Sequence, residues 1–306
     1  MARQFSKKVG KSVNISKYQV FVKVVELGNL TRAAERMGYT QSAISHIINS
    51  LEEEFGFRLL QRGRSGVFLT SDGERVLPLI RAILNDSERL NQVAASIRGL
   101  DAGVVRVATF TSVGVHWLPG MIKSFQKKYP NIEFNLLNGD YYDLEHWLTD
   151  GSADIGFITL PTDGDFTCIP LYRDRILAIL PEDHPFSDLS YLPLEKLQDE
   201  PFISLPENSG HDVRRALQGT GVRPNVKFYT KDDYAIISMV SSGLGIGIMP
   251  ELMLSGYRGQ LCIKELENQP YRTICLALPQ GASQSPATDR FAQHVQSWVQ
   301  ENVQQK

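Results

Sequence analysis

The chain has 306 residues, of which 42% are hydrophobic and 22% charged, and its formal net charge is −2. That length exceeds one small core and calls for two or three domains of ordinary globular composition. No apolar run approaches the roughly 18 residues that cross a bilayer, and the basic start MARQFSKKVGKSVN has no secretory apolar core, so a cytoplasmic protein without membrane contacts is expected.

Charge is unevenly spread. Residues 1–70 hold 11 Lys+Arg against 5 Asp+Glu, or +6, and the remainder holds 21 against 29, or −8. A basic head on an acidic body fits a nucleic-acid-binding module joined to something with another task.

Residues 1–14, with Lys7, Lys8 and Lys11, read as a solvated basic tail, the alternative being a disordered arm near DNA. Tyr18, Phe21, Val22 and Val25 then mark a first helix, with Ser16 as its expected N-cap and Gly28-Asn29 as its stop. Leu30 to Asn49, LTRAAERMGYTQSAISHIIN, follows as two short helices and a tight turn. Ala33 and Ala34 are small where the helices meet, and Gly38 suits a turn position with positive φ. Ile44, Ile47, Ile48 and Leu51 recur at i, i+3, i+4 and i+7, which turns them inward. Gln41, Ser42, Ser45, His46 and Asn49 are left on the outer face, side chains of the kind that read base edges or grip phosphates. The competing reading is an ordinary helical hairpin with a polar solvent face.

Gly56 ends the helical pattern, and Leu59-Leu60, a turn through Gly63 to Gly66, and Val67 to Leu69 suggest a two-stranded wing. Arg62 and Arg64 sit near its tip, placed to meet phosphates. A long helix is expected from Ser71 to Arg98, about 42 Å long, opened by a Ser71/Glu74 capping box. Val76, Ile83, Leu90 and Ile97 repeat every seven residues, with Leu79 and Val93 between them, as in a coiled-coil seam. Pro78 and Asp86 interrupt it. The seam is expected to pair with a second copy, packing on the chain's own C-terminal domain being the alternative.

After the Gly99–Gly103 linker, strands and helices alternate: strand Val104–Ala108, helix Trp117–Lys128, strand Ile132–Leu137, helix Tyr141–Leu148 and strand Ile155–Thr159. A second unit adds strands Arg175–Leu180, Phe202–Ser204, Val226–Tyr229 and Gly245–Met249, with helices Asp212–Gln218 and Asp233–Ser241. Near Leu261–Glu265 the chain returns, through strand Arg272–Leu278, to a last helix Ala287–Val303. Alternation of this kind implies parallel sheets covered by helices, and two lobes joined by two crossings imply a ligand cleft. Cys168, Cys262 and Cys275 form no CxxC pair and the histidines no metal spacing, so neither a metal nor another cofactor is expected. Three reduced thiols are the plain reading, and a Cys262–Cys275 redox switch the alternative.

These residues resemble a LysR-type transcriptional regulator over nearly the whole chain, most specifically within 15–73. Gly28-Asn29-Leu30, Arg32-Ala33-Ala34, Gln41 to Ser45, Ile47, Leu51-Glu52, Gly56, Leu59-Leu60, Arg62, Leu69-Thr70 and Gly73 carry the likeness. Ser152 to Gly156 and Ser242 to Pro250 carry it in the second half. Three features depart from the pattern: the long basic start, Arg64 one residue early in the wing, and Phe55 before Gly56.

The resemblance implies an α/β chain with a winged helix-turn-helix over 1–70, a dimerising linker helix over 71–98 and a two-lobed effector domain over 99–306. That domain would resemble periplasmic binding proteins, with lobes at about 104–160 plus 267–306 and about 161–266. It also implies double-stranded operator DNA, a small-molecule effector, a homo-oligomer built as a dimer of dimers, and RNA polymerase as partners. Gln41, Ser42 and Ser45 would then enter the major groove, with Thr31, Arg32, Arg62 and Arg64 on phosphates. For the effector, Thr109-Phe110-Thr111-Ser112 before a helix, Ser204 and Ser209 in the second lobe, and Thr159 beside the crossing are the polar candidates. Phe110 and His211 add a ring and a charge, and a small carboxylate or other anion is the expected ligand. Closure of the cleft would shift the chain between two lobe arrangements. A solute-binding protein leaves the first 98 residues unexplained. An enzyme finds no phosphate loop, metal cluster or nucleophile turn.

Overall fold

The computed structural model describes residues 14–63, 66–98, 101–206, 211–281 and 284–303, so residues 1–13 of the basic tail, Arg64 and Ser209 lie outside the described residues. The chain forms two compact units, Met1–Ala94 and Ala95–Lys306.

The first unit opens with α1 (Ile15–Leu27), α2 (Leu30–Met37) and α3 (Gln41–Phe55), followed by β1 (Leu60–Gly63) and β2 (Gly66–Leu69). The cap of α1 is Asn14 rather than Ser16: its side chain accepts from the Lys17 N–H, and Ser16 is already helical. Asn14 has the extended backbone a cap requires (φ −103°, ψ 92°). Gly38 takes the turn between α2 and α3 at φ 72°, a left-handed conformation that a Cβ would strain. Ala33, Ala34, Ile44, Ile48 and Leu51 join Val20, Phe21, Val24 and Leu59 in one core, while Ile47 is only partly buried.

The long helix α4 (Ser71–Ile97) contributes Leu77 and Ile80 to that same core, with Val76 and Leu84 against it. Its cap is Thr70, one residue before the expected Ser71: the Thr70 hydroxyl accepts the Gly73 N–H at 3.0 Å. Thr70 also donates to the Arg58 carbonyl at 2.7 Å, so the tie to the wing selects the cap. Of the seven-residue repeat, Leu79, Leu90, Val93 and Ile97 are exposed.

The second unit begins with β3 (Ala102–Thr109), α5 (Thr111–His116), α6 (Leu118–Gln126), β4 (Asn131–Asn138), α7 (Tyr141–Thr149) and β5 (Ile155–Leu160). The single helix expected from Trp117 is therefore two short ones. Pro119, which sits in the first turn of α6, is tolerated at a helix start but not inside one. Next come β6 (Phe166–Pro181), β7 (Pro201–Ser204), α8 (His211–Leu217), β8 (Asn225–Tyr229) and α9 (Asp233–Ser241). The chain closes with β9 (Gly247–Pro250), β10 (Leu261–Glu265), β11 (Tyr271–Pro279) and α10 (Pro286–Asn302).

The sheet order is β10-β6-β11-β5-β3-β4, with β9 also on β6. Among the described strand pairs, β3–β4, β3–β5 and β7–β8 are parallel; β6, β9, β10 and β11 pair antiparallel, against the all-parallel expectation. The reason is β6 itself. Its first part, Phe166 to Arg175, lies along β11, and Ile176 to Pro181 lies along β9 and β10, so one strand serves both lobes. Along it, Ile176, Ala178 and Leu180 enter one second-lobe core with Phe202 and Ile246, while Leu177 and Ile179 enter another with Ile236 and Met249. A strand buried on both faces reads as an unbroken apolar run. The first lobe packs Phe125, Phe157 and Phe291 around β3, β5 and β11. Asp154 locks its parallel strands by accepting the Arg106 N–H at 2.8 Å and pairing with its guanidinium. In the second lobe, a side chain on Gly245 (φ 153°) would meet the Pro201 carbonyl oxygen at 2.3 Å.

Candidate functional site

In the first unit, Thr40 caps α3 by accepting the Ala43 N–H at 3.2 Å, which sets Gln41 and Ser42 in an exposed first turn. His46 and Asn49 are exposed one and two turns further on, with Ser45 partly buried among them. Gln41 Nε2 donates to Ser45 Oγ at 3.2 Å and Arg62 Nη2 reaches the same oxygen at 3.5 Å. The wing thus brings its arginine to the polar face of α3. Thr31 and Arg32 are exposed at the start of α2, but their backbone N–H groups already bond Asn29 Oδ1 at 2.8 and 3.0 Å. Only their side chains remain for a phosphate. Glu52 is buried, and its carboxylate takes the Leu59 and Leu60 N–H groups at 2.9 and 3.1 Å and Arg58 at 2.6 Å. It fastens the wing to the helix that carries Gln41 and Ser42.

In the second unit, two adjoining cavities of about 300 and 750 Å³ share Asp140, Tyr141 and Lys231. The first is walled by Phe110, Thr111, Ser112, Asp212, Asp233 and Arg272, the second by Thr159, Thr162, His211, Arg214 and Arg215. Arg272, on β11, is 3% exposed and organises the first. Its Nε donates to Asp174 at 2.8 Å and its Nη2 to Ser112 at 2.7 Å, and Nη2 also stands 2.7 Å from the Asp174 carboxylate as an ion pair. Its Nη1 donates to the Tyr141 hydroxyl at 2.6 Å and to Asp212 at 3.2 Å. The guanidinium carbon also stands 4.8 Å from the Phe110 ring centre.

Burial pushes the Tyr141 phenol well above its ordinary range, so it stays an O–H and donates to Asp212 at 2.9 Å. Burial works against the Arg272 charge, but the oxygens of Tyr141, Asp212 and Asp174 outweigh it. Burial raises Asp174 against the pull of Arg272, and raises Asp233 against its bond to Thr111. Among the described residues, Asp140, Asp143, Asp212 and Asp233 line this first cavity against Lys231 and Arg272, so its described lining carries more acid than base. It suits hydroxyl or ammonium donors, and offers a ligand anion much less than the sequence suggested.

The LysR substrate binding domain family matches residues 98–300, and the lysR-family bacterial regulatory helix-turn-helix matches residues 15–74. The chain is a LysR-family transcriptional regulator. It is 32% identical over 282 residues to the HTH-type transcriptional regulator YvbU of Bacillus subtilis (strain 168), covering 91% of this chain and 96% of that one. The fold matches CbnR solved with its target DNA, at TM-score 0.65 and 20% identity, over 94% of this chain and 100% of that one. It also matches the regulatory domain of Synechocystis PCC6803 CcmR solved with 2-PG, at TM-score 0.61 and 24% identity, over 65% of this chain and 98% of that domain. Among the described residues, no helix of the regulator is long and apolar enough to cross a membrane.

The regulator does not bring all its expected ligand residues together. Phe110, Thr111 and Ser112 line the first cavity, and Thr159 and His211 the second. Thr109 lines neither: it is 2% exposed, and its hydroxyl donates to the Phe110 carbonyl. Ser204 is likewise buried, where its carbonyl takes the Thr230 N–H at 3.1 Å. Both end strands, and in a strand alternate residues turn away from the face their neighbours present. The alternative Cys262–Cys275 pair fails on register. Cys262 lies beside Leu180 and Cys275 beside Pro170, ten residues apart along β6 or about 30 Å of strand, beyond any disulfide. The Cys275 thiol is moreover pushed up to about 12, by burial and then by Cys168. Arg272, Asp174, Asp212, Asp233 and Tyr141 were missed as site residues. Arg272 and Asp174 are charged residues that their strands bury between exposed or half-buried neighbours, and a buried charge demands a partner.

Proposed function

We propose that this regulator reads operator DNA with the outer face of α3 and takes its signal from a small polar molecule held between the lobes. Gln41, Ser42 and Ser45 enter the major groove with His46 and Asn49 beside them, and Thr31, Arg32, Arg62 and Arg64 hold phosphates. The observation that carries the reading is the division of α3: Ile44, Ile48 and Leu51 are buried while Gln41, Ser42, His46 and Asn49 are exposed. The CbnR–DNA complex supports the same use of this fold. Leu79, Leu90, Val93 and Ile97 supply the exposed apolar stripe through which two copies pair.

The effector presents donors to Asp143 and Asp233 in the first cavity, and the 2-PG complex of CcmR supports a ligand of this size in such a domain. Selection of bound duplexes from a random-sequence pool by the full chain tests the DNA half. A recurring half-site is expected, and a pool with no consensus contradicts it. For the ligand half, a metabolite library is screened by thermal shift of the full chain, where a true effector raises Tm by mass action. A hit whose effect survives Arg272 and Asp233 substitution does not sit in this cleft.

A further inference from the structure

All three nitrogens of Arg272 are engaged without a ligand. Of the five N–H donors of a guanidinium, four make hydrogen bonds, one each to Asp174, Ser112, Tyr141 and Asp212, and Nη2 also forms an ion pair with Asp174. Asp174, Ser112 and Tyr141 belong to the first lobe, on β6 where it pairs with β11, on α5 and on α7. Only Asp212 comes from the second lobe, on α8, whose Ala216 packs with Phe202 and Ile246. It is also the loosest of the set. Its bond to Arg272 is 3.2 Å, the longest of the four, and its other oxygen takes Arg215 at 3.4 Å. Asp174, by contrast, is fully buried and accepts the Leu252 N–H at 2.9 Å besides.

We infer that Asp212 is a built-in substitute for the acid group of the effector, closing the second lobe onto Arg272 and Tyr141 until an incoming carboxylate displaces it. The inference rests on the cleft being the effector site. Withdrawing Asp212 strands a buried Arg272 N–H and the Tyr141 O–H, and groups so stranded are costly. A ligand carboxylate relieves both and leaves the charge of the cluster as it was, so it fits a cavity whose net charge otherwise repels anions. The displaced Asp212 keeps a partner in Arg215, three residues along the same helix. The ligand class is thus a small carboxylic acid that carries hydroxyl or ammonium donors for Asp143 and Asp233.

Acetate is the probe. In the full chain, Asp212→Ala empties the carboxylate position and lowers Tm. Acetate at about ten times its Kd then restores about 3–6 °C relative to chloride of equal ionic strength. Wild-type chain, its position filled, gives no such difference, and adding Tyr141→Phe weakens the acetate response. If Asp212→Ala does not accumulate folded, Asp212→Ser carries the same comparison. Equal Tm in acetate and chloride for the emptied chain overturns the substitution idea. That failure is separate from failure of the cleft reading, which the library screen on wild-type chain decides.

Discussion

The polar face of α3 and the Arg272 cluster use polar groups in opposite ways. On α3 the side chains are mostly exposed to solvent, and their bonds stay local: Gln41 to Ser45 at 3.2 Å, Ser42 with Thr40 at 3.0 Å, and the wing's Arg62 to Ser45 at 3.5 Å. The cluster gathers β6, β11, α5, α7 and α8 around one buried cation, with Ser112 and Arg272 160 residues apart in sequence. Recognition on a solvent face is separable from folding, because removing a group leaves nothing unpaired. In a buried cluster the same groups hold the fold and meet the ligand, so the two properties change together.

Arg272→Ala is the severest test of that contrast. It leaves the Asp174 charge buried with one backbone donor, and breaking a buried pair from one side costs about 3–5 kcal/mol. Denaturant unfolding of the full chain should show the loss, and near wild-type stability would end the comparison. Glu52→Ala sharpens it, because Glu52 lies in the DNA-binding unit yet is buried. Leu59 and Leu60 lose their acceptor, an expected loss of about 1–3 kcal/mol, and the wing loosens. Glu52→Gln, which keeps one acceptor oxygen, should recover part of it. Burial, then, rather than region, sets the outcome.

Gln41→Ala and Ser42→Ala come next. Stability should move by no more than about 0.5 kcal/mol, while discrimination between operator and random duplex narrows, by about 1–3 kcal/mol for a lost bidentate contact. Arg62→Ala should weaken both duplexes alike and lower the salt slope by roughly one unit. Anisotropy titrations across salt concentrations measure all three. Equal losses on both duplexes for every variant would remove Gln41 and Ser42 from base contact.

The same division explains what was legible in the sequence. The helix-turn-helix could be read because its determinants are local: a glycine at the turn and isoleucines at helical spacing. The strands and helices of the lobes were legible from the same periodicities, and α9 falls where expected, at Asp233–Ser241. Strand direction was not, since the course of β6 through both lobes depends on pairings with β9, β10 and β11 far along the chain. Nor was the cluster. Arg272 announces that it needs a partner, but only the folded sheet reveals that Asp174, 98 residues earlier, is the one. Thr109 and Ser204 were chosen by residue type and position in the chain, and strand alternation turned them away from the cavities.

Acid sensitivity gives the smallest expected effect and places it in the second unit. His116, on α5, bonds the Met253 backbone, while its Nε2 is shut from solvent without a hydrogen-bond partner among the described residues. Burial lowers its pKa below the ordinary 6.5, the Met253 bond opposing that in part. A proton on Nε2 would have no acceptor, so the folded chain holds the ring neutral while the unfolded chain takes the proton readily. The sign follows by linkage: stability is full above the unfolded value of 6.5 and is lost as pH falls from there toward the folded pKa. Burial of His294 beside the Met121 carbonyl acts in the same direction. His116→Phe should therefore flatten, without abolishing, the fall in Tm of the full chain between about pH 7 and 5. An unchanged slope would mean that the His116 ring finds an acceptor once charged, and that this buried nitrogen, unlike those of Arg272, is not committed by the packing around it.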